Sequence, residues 1–498
     1  MATIGLDIGT TGCKATVIDC QGFTICQDYC EYDVSFPRDG WVELDPELVW
    51  DAVKKVLSNA AKAYGKPISS MSVASFGEAA VLLNKERKVI ANSIFYTDIR
   101  GNDCIEELTD MLGRSRIEDL TGMPVNGMYT LLKLMWIKKN QPEMYEKIDL
   151  LLPFAAFITF RLTGEAASDY SLASRTLMFD RHAMTWADDI LHAFGLKAEN
   201  LPRLVPSGEP VARVLPGIAS QLDLPKDILI VSGGHDQVAA AVGAGVIKSG
   251  DAVDGIGSAE CITAVLSQEA DLSVLHKNNI CAEPHAVKGH FVSLIFNNTA
   301  GAALKWYRNA FEEELHVKCI QNGQNVYKIL DDQLSKQPSP ILFLPYLSGT
   351  GTPYMDADAK GVLCGLTLSS TKQQIYRAII EGMNYEMKYN LDILSQCGMR
   401  FDVLTAVGGG ASKAALQIKA DIFQIPIKTL QNQQSGNMGL AMLCAVAEGR
   451  YKSLQEAADE LVKIKEIIYP NTKYLSEYKE KYSCYTRMYC AERMIYSR

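Results

Sequence analysis

Ser232-Gly233-Gly234-His235-Asp236-Gln237-Val238-Ala239-Ala240-Ala241-Val242-Gly243-Ala244-Gly245 is the stretch from which the fold can be read. The apolar, β-rich run Ile228 to Val231 ends in two glycines, one acidic side chain follows, and small residues continue at helical spacing from Gln237 to Val246. Asp236 therefore stands at the C-terminal end of a strand and at the mouth of a helix. Ligands of open α/β sheets collect at such places, because unpaired N–H groups at the helix start attract anions. A carboxylate put where a phosphate would sit has two readings. It caps the helix, or it is a general base held near a metal ion, taking a proton from an attacking hydroxyl. The stretch alone leaves both open.

The chain has 498 residues, long enough for two large domains, and its 48% apolar against 21% charged residues supply core enough for both. The formal net charge of -9 lies without long like-charge runs, which argues against nucleic acid or an anionic membrane as partner. An anionic substrate would then need a local cationic or metal site. Thirteen scattered cysteines form no C-x-x-C pair and seven histidines show no ligand spacing, the pattern of reduced cytoplasmic thiols rather than of a disulfide frame or zinc site. The longest apolar run, Leu150 to Phe160, is broken by Pro153 and is too short to span a bilayer. A soluble, cytoplasmic protein is expected.

Strand and helix alternate from the N-terminus, which predicts an α/β fold. Residues 3–19 read as two short strands around a Gly/Thr-rich turn between Asp7 and Lys14, a turn that offers N–H groups, hydroxyls and one ammonium to a phosphate, or serves as an ordinary hairpin. Pro46 to Tyr64 has helical spacing and Met71 to Ser75 returns to a strand. At an offset of 248 residues the first turn recurs: Ile8 to Ile18 reads IGTTGCKATVI and Ile256 to Leu266 reads IGSAECITAVL. Two related halves facing each other, 1–248 and 249–498, would place two phosphate-holding turns on opposite walls of one cleft. Further on, Val403 to Val407 leads through Gly408-Gly409-Gly410 into a helix from Ser412 to Phe423, where bare backbone lets a flat ring or a phosphate lie close. Thr371 and Gln374 fit a capping box opening a long helix to Cys397, with Gly398 as its stop and Ile375, Ile379, Met383, Met387 and Leu391 as its core stripe. The last fifty residues read as a helical segment.

Two extended patterns go beyond these local signals. One is Met128-Tyr129-Thr130-Leu131-Leu132-Lys133-Leu134-Met135-Trp136-Ile137-Lys138-Lys139-Asn140; the other runs from Gly361-Val362-Leu363-Cys364-Gly365-Leu366 through Gln374-Ile375 to Ala378-Ile379-Ile380-Glu381. Both fit without a gap the signatures of the FGGY carbohydrate kinases, which the chain resembles over nearly its whole length. The resemblance implies two actin-like (ribonuclease-H-like) domains across a catalytic cleft that binds MgATP and a sugar or polyol. It implies Asp236 as catalytic base and, with Asp7, as holder of Mg²⁺. Gly9, Thr10, Thr11, Gly12 and Lys14 look like the first phosphate motif, and Asp254 to Ser258, with Gly257 and Ser258, like the second. Gly408 to Ala411, with Gly409, Gly410 and Ala414, resembles the adenosine motif, and Gly301 and Lys305 join the nucleotide side.

Sugar-facing positions implied by the resemblance are Glu78, Tyr96, Asp98, Met128, Asp236 and Gln237. The loop Ala74 to Leu83 carries an Arg-Glu pair in glycerol kinases and a Met-His pair in xylulokinases; here it is Gly77-Glu78, a carboxylate without its arginine. Such a group suits vicinal hydroxyls and disfavours a sugar acid. Tyr96 replaces a frequent Trp, Asp98 matches a xylulokinase-type Asp, and His235 before the base resembles the Gly-His-Asp run of deoxyketose kinases, though a packed turn residue is the plainer reading. Departures include Thr350-Gly351 in place of Glu-Arg, Ser258 in place of Thr, and Lys305 in place of Gln. The expected reaction is phosphorylation of a small sugar or polyol, a ketose such as xylulose, a deoxyketose or a tetritol, by MgATP. A chaperone-type ATPase and a sugar sensor without phosphotransfer are the alternatives, and a homodimer is left open.

Overall fold

Two glycines carry the organising strand beyond its apolar run. The strand spans Leu229–His235, four residues further than Val231. A Cβ at Gly233 would stand 1.9 Å from the Val73 carbonyl oxygen, so only glycine lets this strand lie against its parallel neighbour Ile68–Ser75. The helix that follows begins at Asp236 itself and runs Asp236–Gly243. Asp236 is therefore the first helical residue, His235 takes the cap position, and the expected helix from Gln237 to Val246 starts one residue earlier and ends three earlier.

The computed structural model describes residues 2–410 and 412–496, in two compact units. Unit 1 contains residues up to 247 together with 281–292 and 434–463; unit 2 contains 248–280, 293–433 and 464 onward. A single split at residue 248 thus leaves out two stretches of the second half that pack with the first. The sheet of unit 1 has the order Pro210–Arg213, Leu229–His235, Ile68–Ser75, Ala2–Ile8, Gly12–Ile18, Thr24–Glu31. Its three central strands are parallel, so their C-terminal ends open at one edge. Helix Pro46–Tyr64 covers one part of it, capped by Asp45 and buried through Val49, Val53, Val56 and Leu57.

The returning helix Ser435–Ala447 packs on the same sheet and crosses Asp236–Gly243. A Cβ at Gly243 would lie 1.8 Å from the Ser435 carbonyl oxygen, and one at Gly439 1.9 Å from that of Ala239. This close crossing explains the small-residue run after Asp236, and it is why 434–463 belongs to unit 1.

Unit 2 repeats the arrangement. The hairpin Ala252–Ile256 and Glu260–Val265 has Leu404–Val407 as its parallel neighbour, as the hairpin Ala2–Ile8 and Gly12–Ile18 has Ile68–Ser75. The repeat at offset 248 is therefore a repeat of sheet position within each unit. Helix Lys372–Gln396 has Thr371 as its cap and the full capping box with Gln374, with Ile379, Met383, Met387 and Leu391 buried and Ile375 half-buried. The last fifty residues are not all helical. Ile464–Ile468 is a strand antiparallel to Ile427–Leu430, as its β-branched Ile464, Ile467 and Ile468 favour, between helices Leu454–Leu461 and Leu475–Tyr485. No helix among the described residues is long and apolar enough to cross a membrane.

Candidate functional site

Asp7 and Asp236 end two parallel strands of unit 1 that flank Ile68–Ser75. Burial first, then the Asp236 carboxylate, push Asp7 up to about 7, and Lys14 opposes them. Asp236 is raised as well, by burial foremost and by Glu78, against the pull of His235 and hydrogen bonds from Gln237. Its Oδ1 has no hydrogen-bond partner among the described residues. A half-buried carboxylate with its proton affinity raised is equipped to accept a proton.

Two further side chains frame Asp236: His235, which the sequence analysis singled out, and Glu283, which it did not. His235 Nε2 stands 3.3 Å from Asp236 Oδ1, while its Nδ1 is 2.8 Å from Glu283 Oε1. Burial alone would lower the imidazole, but the Glu283 and Asp236 carboxylates raise it to about 9, so it is a cation at neutral pH. The strand end is held from below as well: Ser171 Oγ accepts from the His235 backbone N–H at 2.8 Å and donates to the buried Asp169. His235 is thus packed, as the plainer reading expected, and is also the charged neighbour of Asp236.

Glu78 is not a carboxylate without an arginine, and this corrects the sequence reading. Arg175, from the far side of the short helix Tyr170–Ser174, donates from Nε to Glu78 Oε1 at 2.6 Å and from Nη2 to the same oxygen. Its Nη1 reaches Glu283 Oε2 at 3.2 Å. Glu78, Arg175, Glu283, His235 and Asp236 form one buried chain of alternating charge. With Arg175 on it, Glu78 no longer repels a sugar acid as a lone charge would. Its backbone has φ 64, the left-handed region that non-glycine residues enter at a cost, and its carbonyl is held by Thr130 Oγ1 at 2.7 Å and Lys133 Nζ at 3.3 Å.

The other sugar-facing expectations divide. Tyr96 is half-buried within the fields of Glu78 and Asp236, which with burial raise its phenol. Gln237 hydrogen bonds to Asp236. Met128 lies half-buried on the loop before helix Thr130–Asn140, two residues after Asn126, whose Oδ1 accepts its N–H at 3.0 Å. Asp98 is a correction: it is buried, and it accepts from Val42 N at 2.6 Å, Arg100 N at 2.8 Å and Arg100 Nη2 at 2.7 Å. Both its oxygens serve the Arg100 staple, whose guanidinium lies 4.2 Å from the Trp41 ring centroid, so none is left for a sugar.

On the phosphate side of unit 1, Gly9 N–H donates to Gly12 O at 2.9 Å and closes the turn that carries Thr10 and the exposed Thr11. Gly12 admits no side chain, since a Cβ there would meet the Tyr29 hydroxyl at 2.5 Å. Lys14 Nζ donates to Gln434 Oε1 at 3.0 Å, at the start of the returning helix. In unit 2, Gly257 N–H donates to Ala259 O at 2.9 Å and Gly301 N–H to Gly257 O at 3.0 Å, with Ser258 exposed between them and Lys305 exposed one turn along helix Gly301–Phe311. Gly409 is exposed, and a Cβ at Gly410 would stand 2.8 Å from the Ile256 carbonyl oxygen. Gly408 and Gly409 wall a cavity of about 280 Å³ lined also by Lys413, Thr429, Gln433 and Glu466. Ala414 lies half-buried in the first turn of helix Lys413–Phe423, and Ala411 lies outside the described residues.

Mixed sheets each carrying a phosphate-type hairpin, with a carboxylate at a strand end in one and a glycine-walled cavity in the other, mark a phosphotransferase with two ribonuclease-H-like domains. Comparison with known proteins makes this particular. The family model for the N-terminal domain of the FGGY family of carbohydrate kinases matches residues 2–243, and that for the C-terminal domain matches 259–448. The chain belongs to that family and is an ATP-dependent carbohydrate kinase, phosphorylating an alcohol group. It is 28% identical over 490 residues to the xylulose kinase of Bacillus subtilis (strain 168), covering 98% of this chain and 96% of that one. It is 27% identical over 465 residues to the gluconokinase of the same organism, covering 92% and 89%. The crystal structure of ligand-bound xylulose kinase from Lactobacillus acidophilus shares the fold with a TM-score of 0.90, at 24% identity and 98% coverage of both chains.

Proposed function

We propose that the protein transfers the γ-phosphoryl group of ATP to a hydroxyl of a small neutral sugar or polyol, a ketose such as xylulose, a deoxyketose or a tetritol, with Asp236 as general base. The observation that carries this is Asp236 itself: it follows directly on a strand end and opens a helix, and burial foremost raises its proton affinity. The acceptor hydroxyl gives its proton to Asp236 as the oxygen attacks phosphorus in line, and positioning supplies most of the rate. Glu78 and Tyr96 would hold neighbouring hydroxyls, and their electrostatic coupling to Asp236 supports a shared site. The names of relatives, xylulose kinase and gluconokinase, bracket the acceptor between ketoses and sugar acids.

The residues fit magnesium. Asp7 and Asp236 are hard oxygen donors, and the Asp236 charge is one of the causes that raise Asp7. No group of three or more metal-type ligands exists among the described residues, as suits an ion held by one or two carboxylates plus substrate phosphates. When bound, Mg²⁺ would neutralise developing phosphate charge. Lys14 and the N–H groups of Gly9 to Gly12 are the phosphate-type donors of unit 1, and the glycine turns Gly257 and Gly408 to Gly410 are the nucleotide-type turns of unit 2. ADP release measured with MgATP against xylulose, deoxyketoses, tetritols, glycerol and gluconate tests the proposal. Turnover with gluconate alone would overturn the neutral-acceptor reading.

A further inference from the structure

Lys419 is buried in unit 2 with its ammonium paired to two carboxylates, Asp254 and Glu260. All three side chains are shielded from solvent, with Asp254 0%, Glu260 2% and Lys419 3% exposed. Burying such a cluster costs desolvation energy that an apolar trio would not, so it is poor evidence for stability as such. Its placement says more. Asp254 and Glu260 lie on the two strands that flank the turn Gly257-Ser258-Ala259, and Glu260 is the strand partner of Ile256. The Ile256 carbonyl is also where the glycine turn comes to rest. Gly410 N–H donates to it at 3.3 Å, and a Cβ at Gly408 would stand 2.5 Å from it.

Lys419 sits on the helix Lys413–Phe423, whose first turns line the glycine-walled cavity through Lys413 and Leu416. The backbone contact at Ile256 joins the two turns on one side, and the ion cluster joins the hairpin to the helix on the other. Burial foremost raises the Glu260 carboxyl, with the Asp254 charge adding to the rise and Lys419 opposing it. We propose that Lys419 is a positioning residue for the nucleotide, fixing the hairpin turn 257–259 and the glycine turn 408–410 in the one register in which a nucleoside triphosphate bridges them.

This rests on reading those turns as the nucleotide site, so a control separates the two. Gly410→Val places a branched side chain in the turn and should raise the ATP KM; if it does not, the site reading fails. The charge-balanced triple variant Lys419→Met, Asp254→Asn, Glu260→Gln removes the ion cluster without stranding a charge. It should keep a near-native melting temperature and raise the ATP KM by about tenfold or more, the scale on which a small misplacement acts, while the sugar KM stays put. Lys419→Arg keeps the charge but not the reach of the ammonium, and should raise the ATP KM several-fold in a folded protein. An unchanged ATP KM in Lys419→Arg, or ATP and sugar KM rising together with lost stability in the triple variant, would overturn the proposal while Gly410→Val still behaves as stated.

Discussion

Arg175 and Glu78, 97 residues apart in the chain, share a single carboxylate oxygen: Nε and Nη2 of the guanidinium both donate to Oε1. The charge of Glu78 is thereby offset by the guanidinium. Selection among sugars at this position therefore rests on hydrogen-bond matching rather than on repulsion of acids. A site built to bond a hydroxyl rejects the analogue lacking it more strongly than an apolar pocket rejects a misfit.

Glu78→Gln keeps the shape and one acceptor but gives up the ion pair. The sugar KM should rise while the ATP KM stays nearly unchanged, as initial-rate kinetics with each substrate varied would show. Arg175→Met goes further, because it strands Glu78 as a buried charge and leaves Glu283 with His235 as its charged partner. A loss of about 3–5 kcal/mol is expected, the cost of breaking a buried pair from one side, and denaturant titration reads it. A marginal loss would mean that the two carboxylates are solvated in solution.

Asp236→Asn should lower kcat by roughly 10²-fold or more, the scale of a positioned general base, with ATP affinity kept because the base acts on the sugar hydroxyl. Sugar-dependent ADP release near the parent rate would remove Asp236 from the mechanism.

Glu283→Gln removes the charge that holds His235, and with it the fixed neighbour of Asp236. We expect kcat to fall by about tenfold with a much smaller change in either KM, since the effect reaches the base and not the ligands. Equal loss in kcat and sugar KM would instead make Glu283 part of the sugar pocket.

The sequence made some of this visible and hid the rest for physical reasons. The strand-glycine-aspartate-helix order around Asp236, the two turns at offset 248 and the capping box at Thr371 are local, and local patterns leave a readable period. Arg175 and Glu283 meet only because residues 281–292 return to unit 1, and a tertiary crossing leaves no period. The available hint was a charged residue in an otherwise small or apolar stretch, Ser171-Leu172-Ala173-Ser174-Arg175, since buried charges are paired. Asp98 was misassigned although its partner stood in plain view at Arg100, two residues on. The helix at the C-terminus was overextended because Lys, Glu and Tyr dominate its composition while three isoleucines make the strand.

Stability should also depend on pH through a residue far from the chemistry. Glu386, on helix Lys372–Gln396, is 1% exposed and accepts the hydroxyls of Tyr346 at 2.9 Å and Tyr485 at 2.6 Å through Oε2. Its Oε1 has no hydrogen-bond partner among the described residues. Burial raises the carboxyl from 4.5 to about 7, and the two phenols only partly oppose this. A raised folded pKa means that the folded protein binds this proton more tightly than the unfolded chain. The contribution is complete below about 4.5 and is lost as pH rises through about 7. Glu381, also raised to about 7, adds a change of the same sign, so the wild-type melting temperature alone does not isolate Glu386. The difference between wild type and Glu386→Gln does. The amide resembles the protonated acid, so the two proteins should melt nearly together near pH 4, and the variant should be the more stable near pH 8, by about 3 kcal/mol at most. Calorimetric scans at the two pH values decide it: a difference that does not grow with pH would show that Glu386 keeps an ordinary carboxylate affinity in the folded state.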